Sequence, residues 1–180
     1  MSQVKKNTKI PPQAIDFEEA VLGAIMIDKN AMAEVGDILS PEVFYKEANK
    51  EIYSVLEELF QEGEPIDTFL VSGKLKQKKK LKNCGGTHYL AELTNKVISS
   101  ANIEYHARII VQKHIQRELI STCSGIIQDA FDESTDAIEL LDQVESKIFS
   151  ISEINIKKKY LTASKLIQTA IKEIERIGNL

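Results

Sequence analysis

Tryptophan is absent, and in 180 residues proline occurs only four times and glycine eight times, so long stretches carry nothing that would interrupt a helix. Cysteine is limited to Cys84 and Cys123, far apart and without metal-type spacing, which favours two reduced thiols over a disulfide or a metal site. No apolar run approaches the ~20 residues of a membrane span. Met1 to Ile10 is polar and basic rather than an apolar leader, so a cytoplasmic protein with no membrane contact is expected. Neither sign of charge dominates: the formal net charge is −4, and contact with nucleic acid would have to come from a local patch. The 43% of hydrophobic residues and 28% of charged residues are those of a soluble globular protein long enough to bury a core.

Helical periodicity runs along most of the chain. Residues 1–15 read as a flexible arm ending in Pro11-Pro12. Asp16 then opens a helix, with Glu19 completing a capping-box pattern ahead of Val21, Leu22, Ile25 and Met26. Asn30 is placed to cap a short helix through Ile38, and Ser40-Pro41 to start another. Ile52, Val55, Leu56, Leu59 and Phe60 recur at helical spacing between Lys46 and Gln61, and Gly63 marks an end. Pro65 and Asp67 lead into a helix with Phe69, Leu70, Val71 and Leu75. Lys78-Lys79-Lys80 and Gly85-Gly86 bound a loop, and Thr87 starts a helix with Tyr89, Leu90, Leu93 and Val97.

From Ala101 to about Phe131 there is no proline and one glycine, which predicts a helix of about thirty residues, roughly 45 Å long. A turn at Asp132 to Thr135 precedes Ala137, Leu141, Val144, Ile148 and Ile151, so the two helices form an αα-hairpin. Its apolar stripes are wider than one partner helix covers, with Ile109, Val111, Ile120 and Ile127 off the main stripe. Either it packs back on the first hundred residues or it meets another subunit, and its separate patterning favours self-association. After a connector carrying Lys157-Lys158-Lys159, Thr162 caps a last helix. There Leu166, Ile167, Ala170, Ile171 and Ile174 share a face that needs a docking surface. The predicted fold is all-α: an arm (1–15), a helical head (16–100), a hairpin for dimerisation (101–153), and a linker with linker helix (154–180).

Catalytic chemistry finds little support. The nearest fragment to a phosphate-binding loop, Ser72-Gly73-Lys74-Leu75, lacks the first glycine and the hydroxyl that would hold magnesium, and it falls inside a helical pattern. His106 and His114, about 12 Å apart along one helix, cannot share a metal ion. Glu18-Glu19 and Glu57-Glu58 point to different sides of their helices and make no acid–base pair. Lys74, Lys76, Lys78, Lys79, Lys80 and Lys82 form a candidate phosphate-contacting patch, but no aromatic residue is interleaved to stack bases, and a solvated loop is the reading adopted. No catalytic, cofactor or metal residue is assigned.

Several short motifs, in this order and spacing, carry a family resemblance. They begin with Ile10-Pro11-Pro12-Gln13, Glu19, Val21-Leu22-Gly23, Phe44-Tyr45 and Gly63-Glu64-Pro65-Ile66-Asp67. Gly85-Gly86 with Tyr89-Leu90 and Glu92-Leu93, then Asn102-Ile103-Glu104-Tyr105 with Ala107-Arg108-Ile109, follow. Leu140-Leu141-Asp142 and Ile148-Phe149 complete the set. The chain resembles the N-terminal domain of bacterial replicative DNA helicases, the DnaB family, from residue 10 to about 151.

The resemblance implies a hexameric, ATP-dependent helicase acting in chromosome replication. Its N-terminal domains pair through their hairpins into a trimer-of-dimers collar that docks the C-terminal domain of primase within the primosome. It further implies that the linker helix packs on a neighbouring motor domain and that a helicase loader is a possible partner. ATP, magnesium and most DNA contacts belong to a C-terminal RecA-like ATPase domain outside this sequence. Residue by residue it places Tyr89, Ile120 and Ile126 at the primase-docking surface, with core packing the competing reading for the two isoleucines. Leu141, Val144 and Ile148 are the dimer-interface candidates. Phe17 and Thr68-Phe69-Leu70 depart from the family pattern. The alternative is a free-standing helical adaptor or loader-type protein without a motor domain.

Overall fold

The computed structural model describes residues 10–28, 30–96 and 102–153, and among these every regular element is helical. In chain order they are α1 (Ile15–Ile27), α2 (Ala31–Val35), a 3-10 turn (Pro41–Val43), α3 (Glu47–Gln61), α4 (Thr68–Gln77), α5 (Gly86–Asn95) and α6 (Ile103–Phe131). A further helix, α7, follows over 137–153. The arm before Ile10, Val97 and the linker helix with Leu166, Ile167, Ala170, Ile171 and Ile174 lie outside the described residues.

Helix α1 is apolar nearly all round, with Val21, Leu22, Ala24, Ile25 and Met26 buried. Such a helix belongs at the centre of a bundle, and α1 packs against α2, α3, α5 and α6. Helix α3 turns Ile52, Tyr53, Val55, Leu56 and Leu59 into the core and α5 turns in Leu90 and Leu93, while α4, packed on α3 and α5, adds Val71 and Leu75. Tyr53 is fully buried, and its hydroxyl donates to Leu39 O at 3.4 Å, which offsets the cost of burying the phenol.

The long helix serves two regions. Ile103, Ala107, Ile110 and Val111 lie in the same core as α1, so the boundary expected at 101 falls just before turns that belong to the head. Ile115 still packs against that core and Arg117 still reaches Pro12 and Val43, and beyond Arg117 about 21 Å of helix runs on to Phe131. Packing back on the first hundred residues and meeting another subunit are the two alternatives for this helix, and α6 packs on the head over its first half while Ile120, Ile127 and Phe131 beyond it are exposed. A connection follows in which Asp132 Oδ1 accepts from Ser134 N and Oγ, while Asp136 Oδ1 caps α7 through Ile138 N and Glu139 N at 2.9 and 3.0 Å. Leu140 and Val144 are half-buried and Ile151 is buried, as Ile126 is half-buried on α6, the pattern of two helices each covering one stripe of the other.

Several local expectations need correction. Asp16 and Glu19 make no capping box: Ala14 is the cap residue of α1, no side chain caps it, and Glu19 is engaged elsewhere. Asn30 forms no side-chain cap, and α2 stops at Val35 rather than Ile38. Ser40-Pro41 opens only a three-residue 3-10 turn. Helix α5 begins at Gly86 behind Gly85, not at Thr87. Phe69, counted in the apolar pattern of α4, is 84% exposed.

Candidate docking surfaces

A polar constellation is set into the head where α1, α3 and α5 converge. Glu18, 1% exposed, accepts from Tyr45 N at 2.7 Å, Lys46 N at 3.4 Å and Asn49 Nδ2 at 2.9 Å. It thereby supplies from α1 the anionic partner that the N-terminus of α3 requires. Glu19 beside it meets Lys46 Nζ at 3.3 Å and Lys96 Nζ at 2.9 Å. Burial by itself raises the Glu19 carboxyl, but hydrogen bonds from Lys96, Tyr89 and Lys46 outweigh it and hold the group below its ordinary value.

Tyr89 closes this cluster. Its hydroxyl lies 2.7 Å from Asn49 Oδ1 and 2.9 Å from Glu19 Oε1, sharing one proton between two acceptors, and it accepts from Lys46 Nζ at 2.8 Å. The Lys46 ammonium also sits 4.1 Å from the ring centroid. Burial and the bond to Glu19 push the phenol far above its usual range. Gly85 makes room for the ring: its φ of 83° suits glycine, and a Cβ there would stand 2.8 Å from Tyr89 Cβ. Tyr89 is therefore half-buried, with its hydroxyl held by Glu19, Asn49 and Lys46.

Arg117 was not anticipated. It leaves α6 where the helix departs from the core, donating to Pro12 O at 2.8 Å and Val43 O at 2.7 Å, with its guanidinium 5.4 Å from the Tyr45 ring centroid. Nothing in its local sequence marks it, because both acceptors are backbone carbonyls of distant segments. Phe17, a departure from the family pattern, is accounted for by its edge-on contact with His106 at 5.1 Å.

The hairpin candidates separate. Ile120 is 55% exposed whereas Ile126 is half-buried. On α7, Leu141 (55%) and Ile148 (38%) face outward, but Val144 lies on the inner stripe with Leu140. Ile127, one of the off-stripe residues behind the expectation of self-association, is exposed on α6, as are Phe131 beside it and Ile138 and Phe149 on α7, which that expectation did not name.

The lysine run is only partly solvated. Lys74 pairs with Glu58 and Glu62, Lys78 with Glu58, and Lys80 with Glu51, stitching α4 and its following turn to α3. The Ser72-Gly73-Lys74 fragment lies inside α4, so it forms no loop to wrap a phosphate, and its lysine is already held by two glutamates.

The model of the DnaB-like helicase N terminal domain matches residues 10–112. The chain is 37% identical over 169 residues to the replicative DNA helicase DnaB of Rhodothermus marinus, covering 94% of this chain and 18% of the relative. It is 34% identical over 171 residues to the replicative DNA helicase DnaB of Geobacillus stearothermophilus, covering 95% of this chain and 38% of that protein. It thus spans well under half the length of these relatives. Among solved structures it resembles the N-terminal domain of DnaB helicase from Mycobacterium tuberculosis, with a TM-score of 0.74 and 31% identity over 78% of this chain and 99% of that one. A DnaB-like replicative helicase solved to show its interactions with primase shares the fold, with a TM-score of 0.64 and 24% identity over 86% of this chain and 35% of that one. The motif order, the head with its protruding long helix and the matched family model agree: this chain belongs to the DnaB-like helicase N-terminal domain family.

Proposed function

We propose that this chain is the assembly and primase-docking domain of a hexameric, ATP-dependent replicative DNA helicase. The observation that carries the reading is α6, anchored in the head at one end and joined at the other to a hairpin whose Ile127, Phe131, Ile138, Leu141 and Ile148 are left exposed. Single exposed apolar side chains need no explanation, but five large ones on one helical hairpin do. Pairing of hairpins between subunits covers them and builds the dimer unit of a trimer-of-dimers collar. The primase surface combines Tyr89 with Ile120, and Ile126 supports the hairpin from within. ATP and magnesium are held by the motor region of the parent helicase, DNA contact by this domain is slight, and the whole acts in the cytoplasm.

The test is a calorimetric titration of the chain with the C-terminal helical domain of the same organism's primase. Saturable binding near one primase domain per two chains is the expected result. No heat of binding at high concentration, with the chain shown to be dimeric, would remove the docking role.

A further inference from the structure

Charge is sharply segregated in this molecule. From Glu118 to Ser146 there are eight Asp and Glu and no Lys, Arg or His, so that stretch carries −8 and the rest of the chain +4 against a total of −4. At its tip Phe131 is 85% and Ile138 70% exposed, and Asp132 and Glu133, both exposed, follow Phe131 in sequence. On the head, the turn between α4 and α5 borders a groove of about 410 Å³ lined by Ser72, Lys76, Lys79, Leu81, Lys82 and Thr87. Lys74, Lys78 and Lys80 are paired with glutamates, whereas Lys76, Lys79 and Lys82 have no ion-pair partner among the described residues. Lys79 also holds φ at 58°, a left-handed conformation usual for glycine. A long cationic side chain therefore stands where the backbone alone would favour none.

We propose that this groove receives the hairpin tip of a second copy of the chain, with Phe131 as the apolar anchor over Leu81 and with Asp132 and Glu133 facing Lys79 and Lys82. The inference rests on the reading of the chain as a self-assembling collar domain and adds where the ends of the paired hairpins go. Within one chain about 21 Å of α6 beyond Arg117 carries the tip away from the head, and α4 packs on α3 and α5, so the groove is offered to a second copy. Tip-to-tip pairing would set two strongly acidic surfaces together, while tip-to-head pairing opposes unlike charges twice in a two-fold dimer. Nucleic acid is the poorer occupant. Lys74, Lys78 and Lys80, which would extend the three groove lysines into a basic track for a phosphate backbone, are neutralised by glutamates, and no aromatic side chain lines the groove to stack a base.

Sedimentation of the full 180-residue chain tests this with two charge-reversed variants, Lys79→Glu/Lys82→Glu and Asp132→Lys/Glu133→Lys, each checked for unchanged helicity. Each alone should self-associate at least about tenfold more weakly than the parent, and an equimolar mixture should recover association, since both tip-to-head contacts are then again of opposite sign. Raising the salt should weaken the parent dimer. A parent chain that is monomeric throughout overturns both this contact and the collar reading. A parent dimer matched by both variants, or a mixture that does not recover, overturns only the tip-to-head contact. So does a lysine variant that loses single-stranded DNA binding while associating normally.

Discussion

Arg117 donates to Val43 O at 2.7 Å and to Pro12 O at 2.8 Å, so one side chain of α6 holds segments 74 and 105 residues away in sequence. It stands at the exit of α6 from the core and sets how the hairpin leaves the head. Arg117→Lys leaves a single ammonium that cannot span both carbonyls. The expected loss is about 1–2 kcal/mol in urea unfolding, with faster amide exchange at Phe44 to Lys46 and unchanged protection at Ile52 to Leu59. Equal protection in parent and variant at Phe44 to Lys46 would show that the fork does not hold the loop.

The Glu19 cluster makes stability depend on pH at both ends. The folded Glu19 carboxyl lies below its ordinary value of 4.5, so its contribution is complete above that value and is lost as the pH falls through the folded one. Tyr89 is raised in the fold, so its contribution is complete below its ordinary value of 10.0 and declines above it, as the unfolded chain releases its proton first. Glu19→Gln should flatten the acid limb, and Tyr89→Phe should lower mid-range stability by about 1–2 kcal/mol by removing the shared hydroxyl. Chemical denaturation between pH 3 and pH 11, taken as about the useful range for these groups, reads both effects. An acid limb identical in parent and Glu19→Gln would place the titrating group elsewhere.

How far these features were legible follows the distance over which each interaction acts. Helices α3 and α6 stood in the apolar periodicity, and the start of α4 at Asp67, whose Oδ1 accepts from Leu70 N, and the turn at Gly63 stood in local residue chemistry. The capping box at Asp16 and Glu19 failed because Glu19 finds Tyr89 and Lys96, 70 and 77 residues on, which no local pattern encodes. Periodicity gave the apolar residues of α7 but not which of two apolar faces is inner, so Val144 was grouped with Leu141 although they face different ways. Tyr89 came from family resemblance alone. Its physical role depends on Gly85, Asn49 and Lys46, which meet only in the fold.

Leu141 and Val144 should therefore respond differently to substitution. Leu141 is 55% exposed in the single chain, so Leu141→Asp should leave helicity and monomer stability nearly unchanged while breaking pairing of hairpins, where it would bury an unpaired carboxylate at a cost of several kcal/mol. Val144→Asp should loosen the hairpin itself, seen as lost helicity in a concentration-independent way. Sedimentation and circular dichroism distinguish the two, and an unchanged mass for Leu141→Asp would remove Leu141 from the interface.

Lys79 offers a case in which stability and assembly should move in opposite directions. Its φ of 58° ends the α4 segment, where Lys79 N donates to Lys76 O at 3.0 Å and Lys80 N to Leu75 O at 2.9 Å. Glycine is relaxed in that conformation and lysine is not. Lys79→Gly relieves the strain, partly offset by the larger freedom of glycine in the unfolded chain, for a net gain of about 0.5 kcal/mol in monomer stability. The same change removes one cation from the groove that faces the acidic hairpin tip, so self-association should weaken several-fold. Lys79→Asn, which also tolerates the left-handed region, should behave alike, whereas Lys79→Arg should keep association and the strain together. A stabilised Lys79→Gly variant that associates as well as the parent would mean that the strained lysine serves the turn and not the contact.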